Sequence, residues 1–400
     1  MANKHRVVII GGGFGGLGAA LQLKHAPVDV TLVDRCNYHL FQPLLYQVAT
    51  GTLSPANIAS PLRTILKSHK NTRVILGEAV RIDAASRQVI LSDGAIPYDT
   101  LVIATGSSHQ YFGHGEWERF APGLKTVEDA TDMRRRILLA FEAAEREQSS
   151  EKLEALMTFV IVGGGPTGVE LAGALGEIAH DTLRQDFRNI DPSKVRIILV
   201  EGTDRVLPAY PPELSAAARK MLEHLSVTVR AGAMVTDVQS ASVTVREGDR
   251  TETIPTRTIL WAAGVLASPL GRVLSEETGA TLDKAGRVIV EPDLTVPGHS
   301  AGQVCRRRGR APFARRKATL FHYLDKGNLA TIGRAAAVAD LNWLRLSGLP
   351  AWLIWIFIHL FYIIEFQNRL LVLVQWAWLY LTYNRSARLI TGKNPLPLDL

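Results

Sequence analysis

Residues 7–16 read VVIIGGGFGG, and residues 159–168 read FVIVGGGPTG. Each is an unbroken apolar run that stops at three glycines and opens into a helix-forming stretch. Apolar runs without alternation mark strands buried on both faces, as in parallel sheets. In the first motif Gly11 permits a tight turn and Gly13 lets the backbone approach a pyrophosphate, while Gly16 lets the helix lie close on the strand. The helix start turns unpaired N–H groups and a positive dipole end toward phosphates. The following run, VTLVD, ends on Asp34, placed to accept hydrogen bonds from a ribose. The second motif repeats the pattern with Gly163, Gly165 and Gly168, and Glu201 closes VRIILVE. A carboxylate there binds the 2′-hydroxyl of NADH and repels the 2′-phosphate of NADPH, with Arg205 nearby as the one opposing feature. Two such motifs predict an α/β protein with two Rossmann-like domains, two bound dinucleotides, and electrons passing between them.

The order of signals predicts one nucleotide domain inserted in another. Residues 1–125 and 259–340 form the first, residues 126–258 the second, and residues 341–400 a C-terminal apolar segment. ATG at Ala104–Gly106 and WAAG at Trp261–Gly264 end β-like runs. They read either as ordinary turn chemistry or as chain crossings beneath a bound flavin, where only small residues fit. Glu170, just inside the second motif's helix, reads on its own as a first-turn acid that compensates the helix dipole.

The 400-residue chain carries a formal net charge of +7. Arg306, Arg307, Arg308, Arg310, Arg315, Arg316 and Lys317 account for all of it, so the rest of the chain is neutral and a nucleic-acid-binding face is not expected. Cys36 and Cys305 are far apart, which excludes a local redox pair. There is no HxxxH or CxxC, so no metal site is expected. The sequence enters its first strand by Arg6 without a secretory leader, which points to the cytoplasmic side.

Several stretches together resemble the type II NADH dehydrogenases, the single-subunit, non-proton-pumping NADH:quinone oxidoreductases. They are VVIIGGGFGGLGAALQL, NYHLFQPLLYQVATGTLSPANIASPLR, YDTLVIATG, FVIVGGGPTGVELAGALGE, WAAGV and NLATIGRAAAVADL. The resemblance implies FAD at the first motif, NADH at the second, and a membrane quinone as electron acceptor. It implies that Glu170 lies beside the nicotinamide and flavin, and that the backbone at Gln47, Thr50 and Gly51 and at Thr105 and Gly106 lines the FAD, with Gly264 at the second crossing.

One segment departs from the family pattern. After a VPGH-like turn the pattern has a strand ending in Gly-Asp, whose Asp meets the flavin's ribityl chain, and then a Gln-containing helix facing the quinone. Here VPGHS at Val296–Ser300 is followed by AGQVCRRRGRAPFARRKATLFHY. Three readings stay open: a basic insert for anionic lipid, a replacement loop, or a coding deletion or frameshift across 301–320. The last predicts an impaired relative that binds NADH but holds FAD or quinone poorly.

The C-terminal segment has two apolar runs, Leu349–Ile364 and Leu370–Tyr383, each shorter than the roughly 17–25 residues that span a bilayer. Trp352, Trp355, Trp376, Trp378, Tyr362, Tyr380 and Tyr383 suit an interface, and Arg369, Arg385 and Arg388 are candidates to meet lipid phosphates. The expectation is two helices lying on the membrane through residues 349–388, a peripheral or monotopic anchor at the cytoplasmic face of the cell membrane. The other reading is a buried helical pair in a homodimer interface. His359 reads as packed rather than as a metal ligand.

Overall fold

The computed structural model describes residues 4–304, 321–382, 385 and 387–391. The chain divides into two compact units, one made of Met1–Leu40, Ala59–Ser108 and Val265–Leu324, the other of Phe41–Ile58, His109–Gly264 and Asp325–Leu400.

The first unit is built on a six-stranded sheet. The run RVVII forms the strand His5–Ile10, paired in parallel with Val28–Asp34 on one side and Thr100–Ile103 on the other. Its four inner residues, Val7 to Ile10, are all buried, as a run without alternation requires. Thr72–Leu76 extends the sheet beyond Val28–Asp34. At the other edge His299–Val304 pairs in parallel with Thr100–Ile103, Gly302 opposite Leu101. Of the three sequence readings of 301–320, a coding deletion would have removed the strand here. The strand position is filled, by HSAGQV, and residues 305–320 lie outside the described residues. Val8, Ile10, Val33, Leu101 and Ile103 pack beneath an antiparallel ribbon that contributes Ile82, Val89 and Ile96 and a helix, Leu270–Thr278, that contributes Leu270 and Leu274.

The second unit repeats the plan. Thr158–Val162 lies between Arg196–Glu201 and Thr258–Trp261, all parallel, with Val227–Ala231 beyond. The strand ending at Trp261 therefore belongs to this sheet, not to the returning first domain as the sequence boundary at 259 placed it. The residues after Asp325 group here as well. A long helix, Val127–Arg146, starts at a reciprocal cap: the Asp129 amide donates to the Thr126 hydroxyl at 3.1 Å and Asp129 Oδ2 accepts from the Thr126 amide at 2.8 Å.

The helix Pro166–Glu177 is pressed onto the strand Asn328–Gly333. At Gly173 a Cβ would stand 1.6 Å from the Ile332 carbonyl oxygen, so only glycine admits this approach.

The apolar tail forms two helices, Leu349–Tyr362 and Phe366–Thr382, of 14 and 17 residues. No helix among the described residues is long and apolar enough to cross a membrane. Each has two apolar faces. In the first, Ala351, Trp355 and His359 are buried at helical spacing while Leu349, Leu353, Phe357 and Phe361 are exposed. In the second, Val372 and Trp376 are buried while Phe366, Leu370, Val374 and Trp378 are exposed. Trp355 and Trp376 are thus packed rings, 5.2 Å apart, not interfacial anchors as sequence position suggested. His359 is packed as expected: Nδ1–H donates to the Trp355 carbonyl at 2.7 Å, and burial pushes the imidazole down to about 4, so it is neutral. Tyr383 lies outside the described residues.

Gly173→Ala should lower stability by about 3 kcal/mol or more, because backbone rather than a flexible side chain occupies the space. Urea unfolding of wild type and variant measures it.

Candidate functional site

Both glycine motifs resolve into the same local machine. Gly11 has φ of +102°, and a Cβ there would sit 2.4 Å from the Ala104 carbonyl oxygen. At Gly16 a Cβ would stand 1.7 Å from the Gly11 carbonyl oxygen. In front of Gly13, the residue capping the helix Phe14–Gln22, nothing lies within 4 Å of a Cβ position. Asp34 accepts the Gly12 amide at 2.5 Å and the Cys36 amide at 2.6 Å.

In the second unit Gly163 has φ of +106° and is backed by Ala262 and Ala263, each with backbone 2.8 Å from a Cβ position. Gly168 would bring a Cβ within 1.8 Å of the Gly163 carbonyl oxygen, and the space before Gly165 is open. Glu201 accepts the Gly164 amide at 2.6 Å and the Thr203 amide at 2.7 Å. Each carboxylate fixes the turn that exposes the helix start and keeps lone pairs for a ribose. Each open glycine face is a cradle that a side chain would fill, so the residues present fit a dinucleotide in each unit.

The crossings ATG and WAAG are equivalents. Ala104 and Thr105 back Gly11 in one unit, with Gly106 following, and Ala262 and Ala263 back Gly163 in the other. A Cβ at Gly264 would meet the Phe112 ring at 2.8 Å, within the second unit. ATG thus stands behind the turn of the first motif and WAAG behind that of the second.

Gln47, Thr50 and Gly51 lie in the second unit, on and just after the short helix Leu45–Ala49. The Gln47 side chain is buried; its Oε1 accepts Trp376 Nε1–H at 2.7 Å and its Nε2 donates to the Tyr46 hydroxyl at 2.9 Å.

Glu170 is not a first-turn acid. The helix begins at Pro166, so Glu170 falls beyond its first turn, and it is the one buried carboxyl group among the described residues. Burial holds its proton affinity well above the usual carboxylate range, offset only by the Thr331 amide. It lines a cleft with Tyr46, Gln47, Glu177, Tyr380 and Arg385. Burial and the Glu170 charge together hold the Tyr46 phenol well above its ordinary value. Sequence reading missed Glu177, although it stands seven residues after Glu170 and so shares its helix face.

Arg385, read from sequence as a partner for lipid phosphate, is instead 3% exposed and donates to Glu177 Oε2 at 2.7 Å and to the Thr52 hydroxyl. Arg388 pairs with Asp186. Arg369 donates to the Ile363 carbonyl at 2.8 Å.

The buried acid gives stability a definite pH dependence. A carboxyl whose proton affinity is raised in the fold contributes stability that is complete below the ordinary Glu range and lost as pH rises toward the raised value. Urea unfolding at about pH 5 and about pH 8 should therefore show Glu170 favouring the acid side, and Glu170→Gln should flatten that difference.

A family model for pyridine nucleotide-disulphide oxidoreductases matches residues 5–318, and one for the NDH2 C-terminal domain matches residues 326–383. The type II NADH:quinone oxidoreductase Ndh of Mycobacterium tuberculosis is 42% identical, over 98% of this chain and 91% of its own length. Its companion NdhA is 44% identical over the same shares. The first alignment runs over 421 residues, so that relative carries residues this 400-residue chain lacks. Among solved structures, NDH2 from Plasmodium falciparum in complex with NADH superposes with a TM-score of 0.84 at 19% identity, over 94% of this chain and 98% of that one. Nothing in these comparisons favours an inactive relative. On motifs, geometry and relatives alike, the chain belongs to the type II NADH:quinone oxidoreductases, within the pyridine nucleotide-disulphide oxidoreductase family.

Proposed function

We propose that this chain oxidises NADH and delivers the electrons, by way of bound FAD, to a quinone, without pumping protons. The observation that carries the reading is the duplicated carboxylate-on-glycine turn, one in each unit. Gly11, Gly13, Gly16 and Asp34, with Thr105 and Gly106, hold FAD. Gln47, Thr50 and Gly51 are the further positions that the family resemblance assigns to FAD. Gly163, Gly165, Gly168 and Glu201 hold NADH, and Gly264 shapes the turn beside them. The chemistry FAD supplies when bound is acceptance of hydride from NADH and release of two electrons to an acceptor.

The chain's own work is binding, orientation and proton supply. The two helix starts meet the pyrophosphates with unpaired N–H groups. Glu201 selects a free 2′-hydroxyl. Glu170, whose proton affinity is raised by its burial, is placed to donate a proton to the quinone oxygen as charge develops there. Glu170→Gln should cut quinone-dependent NADH oxidation by about 10²-fold or more, and retention of near-wild-type turnover would contradict this role. Glu201→Ser should raise kcat/KM for NADPH relative to NADH by about tenfold or more, read from steady-state rates with each nucleotide.

The membrane surface, on its cytoplasmic face, is the setting that suits the tail. Leu353, Phe357 and Phe361 stand 54%, 70% and 61% exposed in one stripe, and a contiguous apolar face of this kind is expected to be covered. The lipid reading is favoured over a homodimer face because each helix keeps a second, exposed apolar face and is too short to span. Phe357→Glu with Phe361→Glu should release the protein from liposomes in flotation while leaving it folded. If the paired variant instead turns a dimer into a monomer and still floats with the vesicles, the face is a homodimer interface.

A further inference from the structure

The tail does more than expose an apolar face. Several of its polar ties converge on one region: Trp376 on Gln47, Arg385 on Thr52 and Glu177, and the Ala387 amide on the Gly51 carbonyl at 3.1 Å. Gln47, Thr52 and Glu177 line the cleft that holds Glu170, and the tail contributes Tyr380 and Arg385 to the same cleft.

With Arg385 buried and Glu177 half-buried, the ion pair is a poor source of stability, since desolvation offsets much of the attraction. Its use lies in geometry. The guanidinium is a planar fork, and here it joins two elements 208 residues apart in sequence. The partner carboxylate is itself fixed from the other side by the Arg334 amide at 2.5 Å. The pair leaves the tail one position against the Glu170 helix.

We infer that Arg385 and Glu177 are positioning residues for the electron acceptor: their contact seats the tail as the wall of the Glu170 cleft, in which the quinone headgroup is held. The inference rests on the functional reading above and assigns the acceptor side of the reaction to this cleft. Loss of the pair unseats the wall, so quinone binding weakens while reduction of the protein by NADH continues.

The test compares a short-chain ubiquinone with ferricyanide as acceptors for the purified holoenzyme. Arg385→Ala and Glu177→Gln should each raise KM for the quinone about tenfold or more, with the ferricyanide rate within about twofold of wild type. Arg385→Lys, which keeps the charge without the fork, should fall between wild type and Arg385→Ala. The paired reversal Arg385→Glu with Glu177→Arg should recover part of the quinone affinity lost in Arg385→Ala. An unchanged quinone KM in both single variants overturns the inference, as does a ferricyanide rate that falls in parallel with the quinone rate. If wild type itself shows no quinone-dependent oxidation, the functional reading fails and the inference falls with it. An active wild type with unaffected variants overturns the inference alone.

Discussion

A carboxylate at the end of one strand grips the backbone amide of a glycine at the end of the neighbouring strand, and the chain does this twice. Asp34 holds Gly12, and Glu201 holds Gly164. A hydrogen bond from an amide to a charged acceptor contributes about 1.5–3 kcal/mol, enough to fix a turn that glycine alone would leave loose. With the turn fixed, the helix start points outward and the space before Gly13 and Gly165 stays open. Strand order, helix packing and the nucleotide cradles all follow from that arrangement. The neighbouring crossover strand must end in a small residue, because its backbone lies against the turn glycine. Ala104 and Ala262 meet that demand in the two units.

Much of this was legible in the residues. Apolar runs without alternation named the buried parallel strands, and the glycines and their closing acids named the turns, since each depends on short-range sterics that sequence carries directly. The long motif from Asn37 to Arg63, with the tail sequences, carried the family. What sequence could not carry was contact between distant segments. Glu170 looked like a first-turn acid because its burial is imposed by the strand Asn328–Gly333, which arrives 158 residues later at its first member. Arg385 looked like a lipid-facing cation for the same reason: its partner Glu177 is far away in the chain. Trp355 and Trp376 have the composition of an interfacial belt, yet they pack on each other, and only the opposite face of each helix remains exposed.

The segment after VPGHS shows the reverse case. Its residues lack the family's Gly-Asp, and one of the three readings of its composition had the strand removed. Backbone pairing tolerates almost any sequence at a sheet position, so His299–Val304 still completes the sheet beside Thr100–Ile103. What the strand does not supply is a carboxylate at its end. The family's contact to the ribityl chain is therefore absent from that strand, while the rest of the first cradle is in place.

Whether the cradle suffices is the central question, and one optical measurement answers it. The purified protein is made anaerobic, its flavin absorbance is recorded, NADH is added, and then a quinone. The account predicts about one flavin for each chain, bleached by NADH and restored by the quinone. Protein that purifies without flavin, or flavin that NADH bleaches and no quinone restores, would contradict it.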